Sequence, residues 1–159
     1  MILNEYSDLG AIRLNHIEGI VYTSGTFDIT HAGHVLFFED AKKQGDVLVV
    51  GTPEDRVVRA IKGDGRPIQN QYVRSKMIDS LKPVDYCFVN KNHRLEELEI
   101  IFEELRPNVY VVNEDAFDID ERREYAERFN VDLVVLERRC PPEFENISTS
   151  QIIEKIKNS

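Results

Sequence analysis

Two histidines three residues apart, His31 and His34, follow closely on a short turn, Ser24-Gly25-Thr26-Phe27-Asp28. On a helix that spacing puts both imidazoles on one face and aims them at the same small volume. Ring N–H groups donate hydrogen bonds, so the pair can hold phosphate oxygens as negative charge builds on them, with no nucleophilic side chain required. Gly33 stands between the histidines and, lacking a Cβ, lets a nucleotide approach the backbone. The first N–H groups of a helix have no internal partner and carry the positive end of its dipole, so the same turn is a seat for anions.

Positioning those residues takes a strand before them and a helix after them. Ile20-Val21-Tyr22 is an apolar run that leads into the turn, and Val35-Leu36-Phe37-Phe38 continues beyond the histidines. The helix is closed by Ala41-Lys42-Lys43-Gln44-Gly45, basic residues and then a glycine. Asp46 to Gly51 follows as an apolar run of strand length, the pattern of a parallel strand covered on both faces. The alternation then continues with helices predicted over Glu54–Ile61 and Gln71–Leu81, a strand at Tyr86–Val89 and a helix over Leu95–Leu105. A strand at Val109–Val112, a helix over Glu121–Phe129, a strand at Leu133–Leu136 and a helix after Ser148 complete it, with a short helix expected between Met1 and Glu18. The expectation is one α/β domain over 1–159, with its motif-bearing core at about 19–157. Its fold class is a Rossmann-like open parallel sheet with helices on both faces and right-handed crossovers. Such sheets bind ligands beyond the carboxyl ends of their strands, where strand order reverses, and the Gly25 turn falls at such an end.

The 159 residues suit one domain, and 42% hydrophobic with 31% charged residues is ordinary for a globular chain. A formal net charge of −9 argues against nucleic acid as a partner while leaving room for a local basic pocket. Cys87 and Cys140 lie far apart with no metal-ligand spacing, which reads as two reduced, partly buried thiols in a cytoplasmic protein. No apolar run is long enough to cross a bilayer, and the acidic start, with Glu5 and Asp8, is unlike a signal peptide.

Two further clusters carry charge or hydroxyls. Lys62-Gly63-Asp64-Gly65-Arg66-Pro67 is a polar loop whose glycines give mobility and whose cations can close over a triphosphate or an incoming phosphate. Arg74, near the start of the next helix, is either a solvated helix residue or a third cation for that cleft. Ser148, followed three residues on by Gln151, forms a capping box. A helix start rich in hydroxyls, Ser148, Thr149 and Ser150, also suits the distal phosphates of a nucleotide.

Gly25-Thr26-Phe27-Asp28 with His31-Ala32-Gly33-His34 resembles the signature of the cytidylyltransferase-like nucleotidyltransferases. A second block runs from Asp55 through Lys62-Gly63, Arg66-Pro67 and Arg74 to Leu81-Lys82-Pro83-Val84-Asp85-Tyr86, and a third is Asn146-Ile147-Ser148-Thr149-Ser150-Gln151. The wording is most similar to heptose 1-phosphate adenylyltransferase domains and more loosely to glycerol phosphate and ethanolamine phosphate cytidylyltransferases. What the resemblance implies is an enzyme that transfers a nucleotidyl group from ATP or CTP to a phosphorylated sugar or alditol, releasing pyrophosphate. By it, His31, His34, Lys62 and Arg66 are catalytic, while Gly25, Thr26, Phe27, Gly33, Arg74, Ser148, Thr149 and Ser150 hold the nucleotide. Asp28, Asp55 and Asp115 fall to the acceptor side, Asp28 chiefly as a shaper of the turn. Magnesium is expected to arrive with the triphosphate, and a homodimer is implied. Relatives carry a Val-Lys-Gly-Gly-Asp-like segment where this chain has Val111-Val112-Asn113-Glu114-Asp115, a departure beside the acceptor pocket.

Three rival classes share part of this pattern. An aminoacyl-tRNA synthetase would need RNA-binding domains and a basic surface. A dinucleotide-dependent oxidoreductase would carry G-x-G-x-x-G in the first strand-turn-helix, where this chain has histidines. A non-catalytic nucleotide-binding regulator fits the motifs and differs only in releasing no pyrophosphate.

Overall fold

The computed structural model describes residues 1–144 and 148–159. The first half contains β1 (Ile2–Leu3), α1 (Tyr6–Asn15), β2 (Ile20–Ser24), α2 (Ala32–Lys42), β3 (Val47–Pro53), α3 (Asp55–Lys62) and α4 (Gln71–Asp79). The second contains β4 (Tyr86–Asn90), α5 (Arg94–Glu104), β5 (Val109–Asn113), α6 (Ile119–Arg128), β6 (Asp132–Leu136) and α7 (Thr149–Lys157). All strand pairs are parallel, in the order β1-β4-β3-β2-β5-β6. From β2 the chain builds outward through β3 and β4, then returns to place β5 on the other side of β2. The reversal of strand order expected for a ligand crevice therefore lies at the end of β2.

The apolar strands are explained by two cores, one on each face. Ile20 and Tyr22 of β2 and Val47 and Val49 of β3 join Leu9, Leu98, Ile101, Phe102 and Ala126 beneath α1, α5 and α6. The intervening Val21, Leu48 and Val50 join Phe37, Phe38, Ala41 and Ile78 beneath α2 and α4. Alternation within an unbroken apolar run thus serves two cores at once. At the end of β3, Gly51 leaves space that a Cβ could not share, since it would lie 2.4 Å from Tyr22 Oη and 2.6 Å from Asn90 Oδ1.

β1 was not foreseen. Its two residues pair with Cys87 and Phe88 of β4, and so short a segment has no period to read. Cys87 is buried and Cys140 exposed, so the expectation of two partly buried thiols holds for neither. Among the described residues no helix is long and apolar enough to cross a membrane.

Candidate active site

The turn between β2 and α2 is held in an unusual backbone path. Gly25 N–H donates to Gly51 O at 3.1 Å, and Phe27 and Ile29 both adopt left-handed φ, 47° and 52°. Such φ values cost bulky residues about 1–3 kcal/mol each and persist where surrounding structure enforces them, often at functional sites. Phe27 is fixed by edge-on packing against Phe38 at 4.8 Å and against His34 at 5.3 Å. Its ring forms a wall against the histidine.

His31 occupies the N-cap position of α2 without using its side chain to cap the helix. Its ring stacks on that of His34, with centroids 3.9 Å apart and planes inclined by 26°. Both Nδ1 atoms are buried and make no hydrogen bond among the described residues. Burial, reinforced by the nearby charges of His31, Arg138 and Lys62, lowers the His34 pKa to about 3. Burial and then Arg138 lower that of His31 as well. Both rings are therefore neutral near pH 7, each with one N–H to donate. Lys62, the last residue of α3, is shifted downward by burial first and then by Arg66, while Asp28 opposes the shift. Gly63 beyond it ends α3 at φ 88°, the left-handed region that suits glycine.

A cavity of about 360 Å³ opens over these groups at the carboxyl ends of the strands, lined by His31, His34, Lys62, Arg66 and Arg138 among others. The chain is acidic overall, yet this cluster of cations and neutral imidazoles at a helix start is chemically suited to anions. Over residues 22–155 the sequence matches the family described as cytidylyltransferase-like. This chain belongs to that family of nucleotidyltransferase enzymes.

Its relatives include the Bifunctional protein HldE of Helicobacter pylori strain P12, 36% identical over 144 residues, which cover 89% of this chain and 28% of that protein. The Bifunctional protein HldE of Nitratiruptor is 42% identical over 96 residues, 60% of this chain and 20% of that protein. The chain thus spans under a third of the length of these curated relatives. The lipopolysaccharide core biosynthesis protein of Thermoplasma volcanium superposes with a TM-score of 0.62 at 27% identity, covering 77% of this chain and 97% of that one. Pantoate-beta-alanine ligase of Francisella tularensis, at 16% identity and a TM-score of 0.68 over 99% of this chain and 77% of its own, shares the fold.

Within this family member the structure separates the expected site residues into two groups. His31, His34, Gly25, Thr26, Phe27, Gly33, Lys62, Arg66, Asp28, Asp115 and Thr149 all line the cavity. Arg74 does not contact it, which corrects its expected role as a phosphate ligand. It is fully buried and donates to Gln69 O, Thr26 O, Thr52 Oγ1, Pro53 O and Asp55 Oδ1 at 2.7–3.1 Å. Asp55 is likewise corrected from acceptor contact to counter-ion of Arg74, at 2.7 Å.

Asp28 borders the cavity, but its oxygens are already engaged. They accept from Arg66 Nε at 2.8 Å and from the N–H groups of Ile68 and Gln69 at 2.8 and 2.9 Å. Its expected place in acceptor binding therefore gives way to the turn-shaping role: it fixes the 66–69 loop and points the Arg66 guanidinium. Asp115 remains at the rim, with a 63% exposed side chain 3.9 Å from Arg138.

The capping box at α7 is present, with Ser148 Oγ accepting from Gln151 N–H and Gln151 Oε1 from Ser148 N–H. That use of Ser148, and the exposure of Ser150, leave Thr149 as the cavity-lining hydroxyl of the three, donating to Asp28 O at 2.7 Å. Asn146 and Ile147 of the third sequence block lie outside the described residues.

Sequence reasoning missed Arg138, which follows β6 and whose charge reaches both histidines. It also missed Asn90, Asn92 and Glu97 on the cavity wall. Asn90 and Asn92 had one sequence signal, their position at or just beyond the carboxyl end of β4; Glu97, in the first turn of α5, had none.

Proposed function

We propose that this chain catalyses transfer of a nucleotidyl group from ATP or CTP to the phosphate of a small sugar or alditol phosphate, most like heptose 1-phosphate adenylylation. The stacked, neutral His31–His34 pair, which lines one cavity with Lys62, Arg66 and Arg138 and whose Nδ1 atoms have no partner among the described residues, is the observation that carries this reading. An oxygen of the acceptor phosphate forms the new bond to the α-phosphorus. The bond from that phosphorus to the bridging oxygen breaks, and its electron pair leaves on pyrophosphate. A phosphate monoester is already anionic near neutral pH, so no general base is needed. The histidines donate to α-phosphate oxygens as charge accumulates there, while Lys62 and Arg66 draw the two anions together. Asp28 keeps the Arg66 guanidinium aimed through the 2.8 Å pair.

Among the described residues no group of three or more His, Cys, Asp or Glu could hold a metal ion. That suits magnesium held mainly by substrate phosphates and water, where it would neutralise charge on the triphosphate. Cavity side chains that could add a carboxylate include Asp115 at the rim and Glu137 beyond β6.

The test is a grid of ATP and CTP against heptose 1-phosphate, glycerol 3-phosphate and ethanolamine phosphate, read by pyrophosphate release. Release with one nucleotide and one preferred acceptor is expected. Nucleotide binding without pyrophosphate across the whole grid would make the chain a regulator rather than an enzyme.

A further inference from the structure

The wall of the cavity also holds a buried carboxylate, one of whose oxygens has no partner among the described residues. Glu97 lies in the first turn of α5 and is 2% exposed. Its Oε2 accepts from Tyr6 Oη at 2.9 Å and from Asn92 N–H at 2.7 Å, and Asn92 Nδ2 donates back to Tyr6 Oη at 2.8 Å. This triangle fixes the side chain. Its Oε1 is buried, makes no hydrogen bond among the described residues, and belongs to a residue that lines the cavity. A buried carboxylate oxygen without a donor is costly, so such groups in native proteins are normally satisfied.

Among the described residues none of the donors that line the same cavity bonds to Oε1. Asn90 and Tyr22 bond to each other, Arg94 is paired with Asp118, and Arg122 donates to Phe117 O and Tyr110 Oη. Burial also raises the Glu97 pKa, against hydrogen bonds from Tyr6, Asn92 and Lys91 that lower it. The fold adds a direction. α5 covers the face of the sheet opposite α2, so Glu97 and the histidines stand on either side of the end of β2. A ligand reaching both has an anionic end at the imidazoles and a hydrogen-bond donor at the other.

We propose that Glu97 Oε1 receives an O–H or N–H donor of a bound substrate, either a hydroxyl of the phosphorylated acceptor or the exocyclic amine of the nucleobase, and so sets specificity. This rests on the nucleotidyltransfer reading above. Glu97→Gln is the informative change: one amide oxygen can still accept from Tyr6 and Asn92, while an NH₂ group replaces Oε1 and meets the substrate donor head-on.

KM is measured for each substrate separately in wild type and Glu97→Gln, together with the melting shift produced by ATP, CTP, heptose 1-phosphate or glycerol 3-phosphate alone. A rise of about ten- to a hundredfold in one KM, with the matching melting shift lost and the other substrate within twofold, is expected, as for a hydrogen bond to a charged group. A rise confined to the acceptor assigns the hydroxyl, and one confined to the nucleotide assigns the base amine. Unchanged values for both, or an equal loss for both, would overturn the proposal. Should Glu97→Gln fail to fold, wild type is tested with singly deoxygenated acceptors and with ITP or UTP, whose bases carry a carbonyl in place of the amine. Losses under threefold throughout would then refute it. Absence of pyrophosphate from wild type on every pair refutes the parent reading instead.

Discussion

Replacing Arg74 by alanine removes a buried guanidinium bonded to five oxygens. The Asp55 carboxylate, the Thr52 hydroxyl and the carbonyls of Thr26, Pro53 and Gln69 lose those donors together. Breaking a buried ion pair from one side costs about 3–5 kcal/mol, out of the roughly 5–15 kcal/mol by which a whole domain is stable. Asp55 keeps 20% side-chain exposure, so water softens the loss and favours the lower part of that range. At about 2–4 °C per kcal/mol for a chain of this length, the melting temperature should fall by roughly 6–20 °C. Arg74→Lys keeps a charge near Asp55 but lacks the planar fork, so it should recover only part of the loss. Urea and thermal unfolding, followed by circular dichroism, measure the effect, with KM for ATP and CTP measured in parallel below the transition. A melting temperature within about 2 °C of wild type, accompanied by a tenfold or larger rise in nucleotide KM, would show that Arg74 faces substrate and that its buried role is wrongly assigned.

Single replacement of His31 or His34 by alanine should lower kcat at least about a hundredfold, comparable with loss of one transition-state donor, and near-normal turnover in either variant would reject the mechanism. Because the His34 pKa is about 3 in the folded chain, against 6.5 for a free imidazole, the unfolded state takes up its proton first. Stability should therefore fall as pH drops below 6.5, and His34→Gln should lose roughly 3 kcal/mol less than wild type between pH 6.5 and 4. Equal acid slopes in urea unfolding would contradict that. Burial pushes the Cys87 thiol up to about 12, whereas Cys140 is exposed. A thiol reagent at pH 8 should accordingly label one cysteine in the native protein and two in urea.

The strand-turn-helix around His31 and His34 could be read from sequence because its determinants are local: an apolar run, a tight turn and a three-residue spacing. The unbroken run in β3 was equally legible, since a strand covered on both faces needs no polar alternation. Arg74 was not. Its type and its place early in α4 are those of a solvated or phosphate-binding arginine, and only its partners on the β2 turn, β3 and α3 reveal the buried role. Glu97 failed for the same reason, because among the neighbouring Glu96, Glu97 and Glu99 nothing local marks the one that turns inward. Arg138 and Arg139 follow the strand β6, whose sequence identifies the element without showing that the basic residues after it line the cavity.

Asp28 joins three parts of the chain that lie far apart in sequence. Its carboxylate fixes Arg66 and the backbone at Ile68 and Gln69, and its carbonyl takes the Thr149 hydroxyl at the start of α7. The mobile-looking glycine loop and the C-terminal helix therefore share a single rivet in the turn that carries the histidines. A change at Asp28 is thus felt on both flanks of the chamber at once, in the 66–69 loop and at the start of α7.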